Sequence, residues 1–129
     1  MFEKLEIFRM AQAMAVHAGA RQSLVAQNMA NADTPGYAAR DIKPFQALYE
    51  GSESSYAPRA TRAGHLFGDT GGRTADPMVD VNTVADPNGN SVSLETEMLK
   101  AVDVKRQHDR ALAIYKSSLG VLRSALGRR

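Results

Sequence analysis

The densest set of oxygen ligands in the sequence is "DPNGNSVSLETE", from Asp86 to Glu97. Asp86, Asn88, Asn90 and Glu97 occupy positions one, three, five and twelve of a calcium-loop template, the spacing that lets oxygens surround a hard cation. Two features oppose that chemistry. Position six is Ser91, where the sharp turn of such a loop needs glycine, and the preceding "VDVNTVA" is β-branched and follows Pro77, where the template requires a helix. The plainer reading is a turn that leads into a helix, with Glu95 and Glu97 placed near the positive end of its dipole.

Other reactive patterns are sparse. His17, His65 and His108 are scattered and form no zinc-type pair, and His65 and Asp69 share a Gly-rich stretch that fixes no common face. No Ser, His and acid combination, phosphate-cradling Gly loop or nucleophile elbow is recognisable. The absence of cysteine excludes disulfides and thiolate metal sites. A formal charge of +2 gives nucleic acid no claim as the default partner. Lys100, Lys105, Arg106, Arg110, Lys116 and Arg123 are interleaved with Asp103 and Asp109, the pattern of a solvated or partner-facing helix surface. The expectation is a non-enzyme with no cofactor, no metal and no stable small-molecule ligand.

The elements that carry these residues are two long helices. From about Glu3 to Ala32 there is no Pro and one Gly, and good helix formers dominate. Phe2, Leu5 and Phe8, then Ile7, Met10 and Met14, then Leu24, Val25 and Met29 make several apolar stripes, and Ala11, Ala13, Ala15, Ala18, Gly19 and Ala20 add a band of small side chains. Ala18-Gly19-Ala20 has the look of a signal-peptidase site, but Glu3, Glu6 and Arg9 interrupt the apolar run it would need, so the segment reads as a retained helix.

The second helix is expected from Ser93, as N-cap, to about Leu126. Leu94, Met98, Ala101, Lys105, His108, Leu112, Tyr115, Leu119, Leu122 and Leu126 alternate steps of four and three, the seam of a coiled coil with Lys105 and His108 as polar interruptions. At that length it should run for roughly 50 Å. Between them, about Gly51 to Asn90 is rich in Gly, Pro and polar residues, and Glu50 to Ala75 is expected to be mobile in isolation. Met78-Val79-Asp80-Val81 and Ser91-Val92-Ser93-Leu94 read as a short hairpin across the turn at Asp86 to Gly89. The expected fold is mainly α: one domain over 1–129, with an N-terminal helix in 1–33, a turn, loop and short β region in 34–92, and a C-terminal helix in 93–129. Two terminal helices packed as an antiparallel, coiled-coil-like pair cover only one face each, which leaves apolar surface for other copies or other proteins.

The first helix stops abruptly at "QNMANADTPGYAARD". Thr34 precedes Pro35 and is pushed out of the helical region, so the helix must end at or before Asp33. Asn31 and Asp33 tolerate the left-handed conformation, Pro35-Gly36 suits the centre of a type II turn, and Asn28 and Asn31 share a face from which both amides can reach the returning chain. A simple helix stop needs one Gly or Asn, so this set overspecifies one.

The match of Asn28, Ala30, Asn31, Thr34, Pro35, Gly36 and Tyr37 to N-[IL]-A-N-x-x-T-P-G-Y, with Met29 at the Ile or Leu position, resembles the signature of the bacterial flagellar axial proteins, the rod, hook and hook-associated families. The likeness continues through Arg21 to Glu50, Thr61 to Leu66, Gly89 to Met98 and Leu122 to Gly127, and in its shortness the chain looks like the proximal rod members. The resemblance implies a structural subunit of the basal-body rod, exported by the flagellar type III apparatus without a cleaved signal. It implies terminal helices that pack with neighbouring rod subunits into an inner tube, contacts with the adaptor FliE, membrane-ring and export-gate proteins, and a part in transmitting torque around an export channel. The seam residues Leu94, Met98, Leu112, Tyr115, Leu119, Leu122 and Leu126 are the expected assembly surface.

Overall fold

The computed structural model describes residues 2–53, 78–79 and 84–127. Helix α1 (Phe2–Ala30), strand β1 (Arg40–Asp41), helix α2 (Phe45–Glu53), strand β2 (Met78–Val79) and helix α3 (Leu94–Leu126) follow in chain order. The motif at Thr61 to Leu66, the pair His65 and Asp69, and most of the stretch from Glu50 to Ala75 lie outside the described residues.

The two long helices form as the periodicity predicts, and they pack antiparallel. Asn28 near the end of α1 meets Glu97 in the first turns of α3, whereas Phe8 near the start of α1 meets Tyr115, their rings edge-to-face at 5.3 Å. Ala11, Ala18 and Val25 on α1, and Glu97, Val104 and Ala111 on α3, are buried and recur every seven residues, the period at which two helices keep one face together. Alanine at three of these six positions lets the backbones approach closely, and burial of Val104 contributes about 1.5–3 kcal/mol.

The face that α3 buries is not the predicted seam. Glu97, Val104 and Ala111 each precede a seam position, Met98, Lys105 and Leu112, by one residue, which is a rotation of about 100°. Leu94, Met98, Leu112, Tyr115 and Leu126 are exposed, and Leu119 and Leu122 are half-buried. The small residues win the contact because a close pair of helices has no room for a row of Leu and Met, and because Glu97 has a buried partner on α1.

The predicted hairpin is also replaced. Met78–Val79 pairs antiparallel with Arg40–Asp41, Arg40 opposite Val79 and Asp41 opposite Met78. Residues 91–93 form no strand, and Leu94 already belongs to α3. Ser91 instead donates its backbone N–H to the Tyr37 carbonyl at 3.0 Å, an alternation-poor pairing that the strand pattern could not reveal. Asp80 and Val81 lie outside the described residues.

Helix α2 is an element that the sequence reading did not place. Pro44 supplies a preset φ at its start, and Phe45, Leu48 and Tyr49 fall at helical spacing. It is fastened to α1 by buried His17, whose Nε2–H donates to the Lys43 carbonyl at 2.8 Å. The imidazole also sits edge-to-face on Phe45 at 5.7 Å. His17 is thus a core residue that anchors one helix to the next.

Candidate functional site

The abrupt stop of α1 is built from successive local bonds. Asn31 N–H donates to Gln27 O and Asn28 O, both at 3.1 Å, then Ala32 N–H to Met29 O at 3.3 Å and Thr34 N–H to Asn31 O at 3.0 Å, so the last turn tightens as the helix ends. The Asn31 amide donates back to Gln27 O at 2.8 Å, and its Oδ1 accepts from Thr34 Oγ1 at 3.2 Å. Tyr37 N–H closes the turn on Thr34 O at 3.3 Å, with Gly36 at φ 73°, the sign a type II turn demands. Among the described residues no non-glycine has positive φ. Asn31 and Asp33 therefore do not use the left-handed conformation that they tolerate.

Asn28 is the centre of the corner. It is fully buried, and its Nδ2 donates to Arg40 O at 2.7 Å and to Glu97 Oε2 at 3.1 Å. Its Oδ1 accepts from Arg40 N–H at 3.1 Å and from the Tyr37 hydroxyl at 3.3 Å. All four hydrogen-bonding positions of the amide are filled. An aspartate here would lose both donors and face Glu97 as a like charge, and an apolar residue would orphan four partners. Of the two asparagine amides expected to reach the chain as it turns back, Asn28 reaches Tyr37 and Arg40, and Asn31 reaches Thr34 at the start of the turn.

The second half of the corner comes from residues 86–91, which sequence reasoning assigned to a simple turn. Gly36 N–H donates to Asn88 O at 3.1 Å, and Ala39 N–H to Ser91 Oγ at 2.8 Å. Gly89, at φ 80°, comes so close that a Cβ there would lie 3.4 Å from Gly36 Cα. The two glycine turns are docked back to back. Buried Asn90 places its Nδ2 at 3.0, 2.6 and 2.9 Å from the carbonyls of Asn31, Ala32 and Thr34. Two hydrogens serve three acceptors, so at least one is shared. Its Oδ1 accepts from Val92 N–H at 2.8 Å, which fixes which end of the amide faces the helix.

An ionic network borders this joint. Arg21 grips Asp41 through Nε and Nη2, both at 2.8 Å, in the two-pronged geometry that suits a carboxylate. Burial works to raise the Asp41 pKa, but the Arg21 bonds, the Ile42 amide and the charges of Arg21 and Lys100 together hold it below the usual aspartate range. The same hydrogen bond to Asp41 raises Arg21 further. Lys100 Nζ stands 2.9 Å from Glu97 Oε1 and 3.7 Å from Asp41 Oδ2, linking the two carboxylates. Glu97 lies in the first turn of α3, as its expected place near the helix dipole requires, and at 0 % exposure it is also a structural anchor.

Three of the four calcium-template side chains are committed elsewhere. Both Glu97 oxygens and the Asn90 oxygen hold protein donors, and Asn88 Oδ1 accepts from Asn90 N–H at 2.9 Å. The cue missed in the sequence was that one short run supplies both Asn90, just before α3, and Glu97, within its first turns. His108 and Lys105, the polar interruptions of the predicted seam, are exposed on α3. No helix among the described residues is long and apolar enough to cross a membrane.

Two long antiparallel helices, locked at one end by a buried polar joint and carrying exposed large apolar side chains among charged ones, define a helical-hairpin protein. No family model matches the chain. It is similar to "Flagellar basal body rod protein FlgB" of Agrobacterium fabrum (strain C58 / ATCC 33970), 32 % identical over 118 residues that cover 89 % of this chain and 88 % of the relative. The chain belongs to the FlgB family of flagellar basal body rod proteins. It is accordingly a structural subunit of the flagellar rod, a component of the motility apparatus.

Proposed function

We propose that the chain, as a non-enzymatic proximal rod subunit, assembles through its terminal helices with other rod proteins, helping to transmit motor torque and to line the export channel. The observation that carries this reading is the outer face of α3. Leu94, Met98, Leu112, Tyr115 and Leu126 are exposed together with Leu99, Val102 and Val121, large apolar side chains left in water on either side of the charged stretch Lys105 to Arg110. The residues predicted as a seam are then the assembly surface, free because the intramolecular contact uses the neighbouring face.

In this reading residues 1–129 act as one rod-type domain. The signature residues Asn28, Ala30, Asn31, Thr34, Pro35, Gly36 and Tyr37 fix the angle at which an inner-tube helix hands the chain to the outer layer. The partners are other rod subunits, the adaptor FliE, and membrane-ring and export-gate proteins. The site of action is the periplasm-spanning base of the rod, reached by type III export without a cleaved signal. A clean deletion of the gene should leave cells non-motile and without a completed rod, scored by swimming and by electron microscopy of basal bodies. Normal swimming in that strain would overturn the proposal.

A further inference from the structure

We propose that Asn90 is a conditional cap: the end of α1 and its signature turn close only when residues 86–91 dock, so that both turns and the start of α3 order in one step. The inference concerns the monomer's own folding and holds whether or not the chain assembles as proposed above.

Three observations carry it. The carbonyls of Asn31, Ala32 and Thr34 lie just past the end of α1, where intrahelical partners run out and the local donors are single turn amides, Thr34 N–H on Asn31 O and Tyr37 N–H on Thr34 O. A side chain from far along the sequence supplies them, since Asn90 Nδ2 lies 3.0, 2.6 and 2.9 Å from these oxygens while buried among them. Bonds also run the other way, because Gly36 N–H needs Asn88 O and Ser91 N–H needs Tyr37 O. Neither turn is complete without the other. The local bond from Tyr37 N–H to Thr34 O is long, at 3.3 Å, and the turn by itself supplies Thr34 O with no other backbone donor. A Cβ at Gly89 would lie 3.4 Å from Gly36 Cα, so the two turns sit in direct contact.

The loop thus does for α1 what a Gly or Asn following a helix normally does locally. The consequence is that the corner cannot set the direction of the returning chain before the sequence up to Asn90 is in place. Residues 86–91 and 31–37 should behave as one cooperative unit that opens and closes together.

Native-state amide hydrogen exchange on the full chain tests this. Asn90→Asp keeps the shape and the Oδ1 acceptor for Val92 N–H, but turns an oxygen toward three carbonyls. It should speed exchange of the Thr34, Gly36, Tyr37 and Ser91 amides together, by roughly tenfold or more, with the middle of α3 unchanged. Should that variant unfold globally, Ser91→Ala is the gentler probe, since it removes only the acceptor for Ala39 N–H. It should still raise exchange at Thr34, which Ser91 does not touch. Faster exchange confined to residues 89–91 or to Ala39, with Thr34 and Gly36 as protected as in the unaltered protein, would show that the α1 turn closes alone and would overturn the proposal.

Discussion

The two ends of the helix pair are held by different physics. At the corner end Asn28, Glu97, Asn90 and the Arg21–Asp41 pair are tied by directional bonds, many of them buried. Toward the other end the contact passes through Ala11, Ala111 and the Phe8–Tyr115 edge. Directional bonds fix one geometry and tolerate little change. Small apolar contacts permit close approach but specify weakly, and they leave the large side chains of α3 outside. Geometry is therefore set at the corner, while the shaft leaves large apolar side chains such as Leu112 and Tyr115 exposed.

The largest effect should come from breaking the buried polar joint. Glu97→Ala takes the acceptor from one buried Asn28 Nδ2 hydrogen and one carboxylate from Lys100, and should lower unfolding free energy by about 3 kcal/mol, read by denaturant titration. A loss below about 0.5 kcal/mol, the range of ordinary surface changes, would mean the corner is no stronger than the shaft. Gly36→Val should follow. No atom lies within 4 Å of a Cβ built there, so the penalty is the left-handed backbone itself, roughly 2 kcal/mol for a β-branched residue. Gly36→Ala should cost less, and equal stability for both variants would refute the positive φ.

Acid should weaken the corner selectively. Asp41 is held below its ordinary value, so its stabilising contribution is complete above the unfolded aspartate pKa of about 3.9 and is lost as pH falls through the lower folded value. The denaturation midpoint of the unaltered protein should fall over that acid range, and Asp41→Asn should flatten the fall. An unchanged slope in Asp41→Asn would remove the ion pair from the account. The smallest effect on the monomer belongs to the outer face. Leu112→Asp should change monomer stability by about 1 kcal/mol or less, because Leu112 is exposed, yet abolish incorporation into rods, assayed by motility and basal-body purification. Leu119→Asp should do the same with a greater cost to the monomer, since Leu119 is half-buried. Rods that accept both variants would show that this face is not used.

Much of this architecture is legible in single segments. Thr34-Pro35-Gly36 dictates the turn through steric limits on φ and ψ, and the long apolar periodicities dictate both helices. Even the family signature converges in space, with Asn28, Asn31, Thr34, Gly36 and Tyr37 all inside the corner or its turn. The pattern misled where burial was inferred from size. Leu94, Met98 and Leu112 form the stronger apolar stripe, but α3 turns Val104 and Ala111 inward. At "DPNGNSVSLETE" the turn into α3 stands as the plainer reading had it, and the ligand-like spacing reflects capping and pairing roles.

By itself, the sequence determined the elements whose causes are local: helix periodicity over a few turns, the proline that ends α1, and the glycine that reverses the chain. Only the tertiary structure decided which face of α3 meets α1 and what Asn90 and Glu97 hold. Those choices rest on partners 59 and 69 residues away, and a hydrogen bond across such a distance leaves no periodic trace in the chain. It exists only once close packing has removed the water that would otherwise take its place.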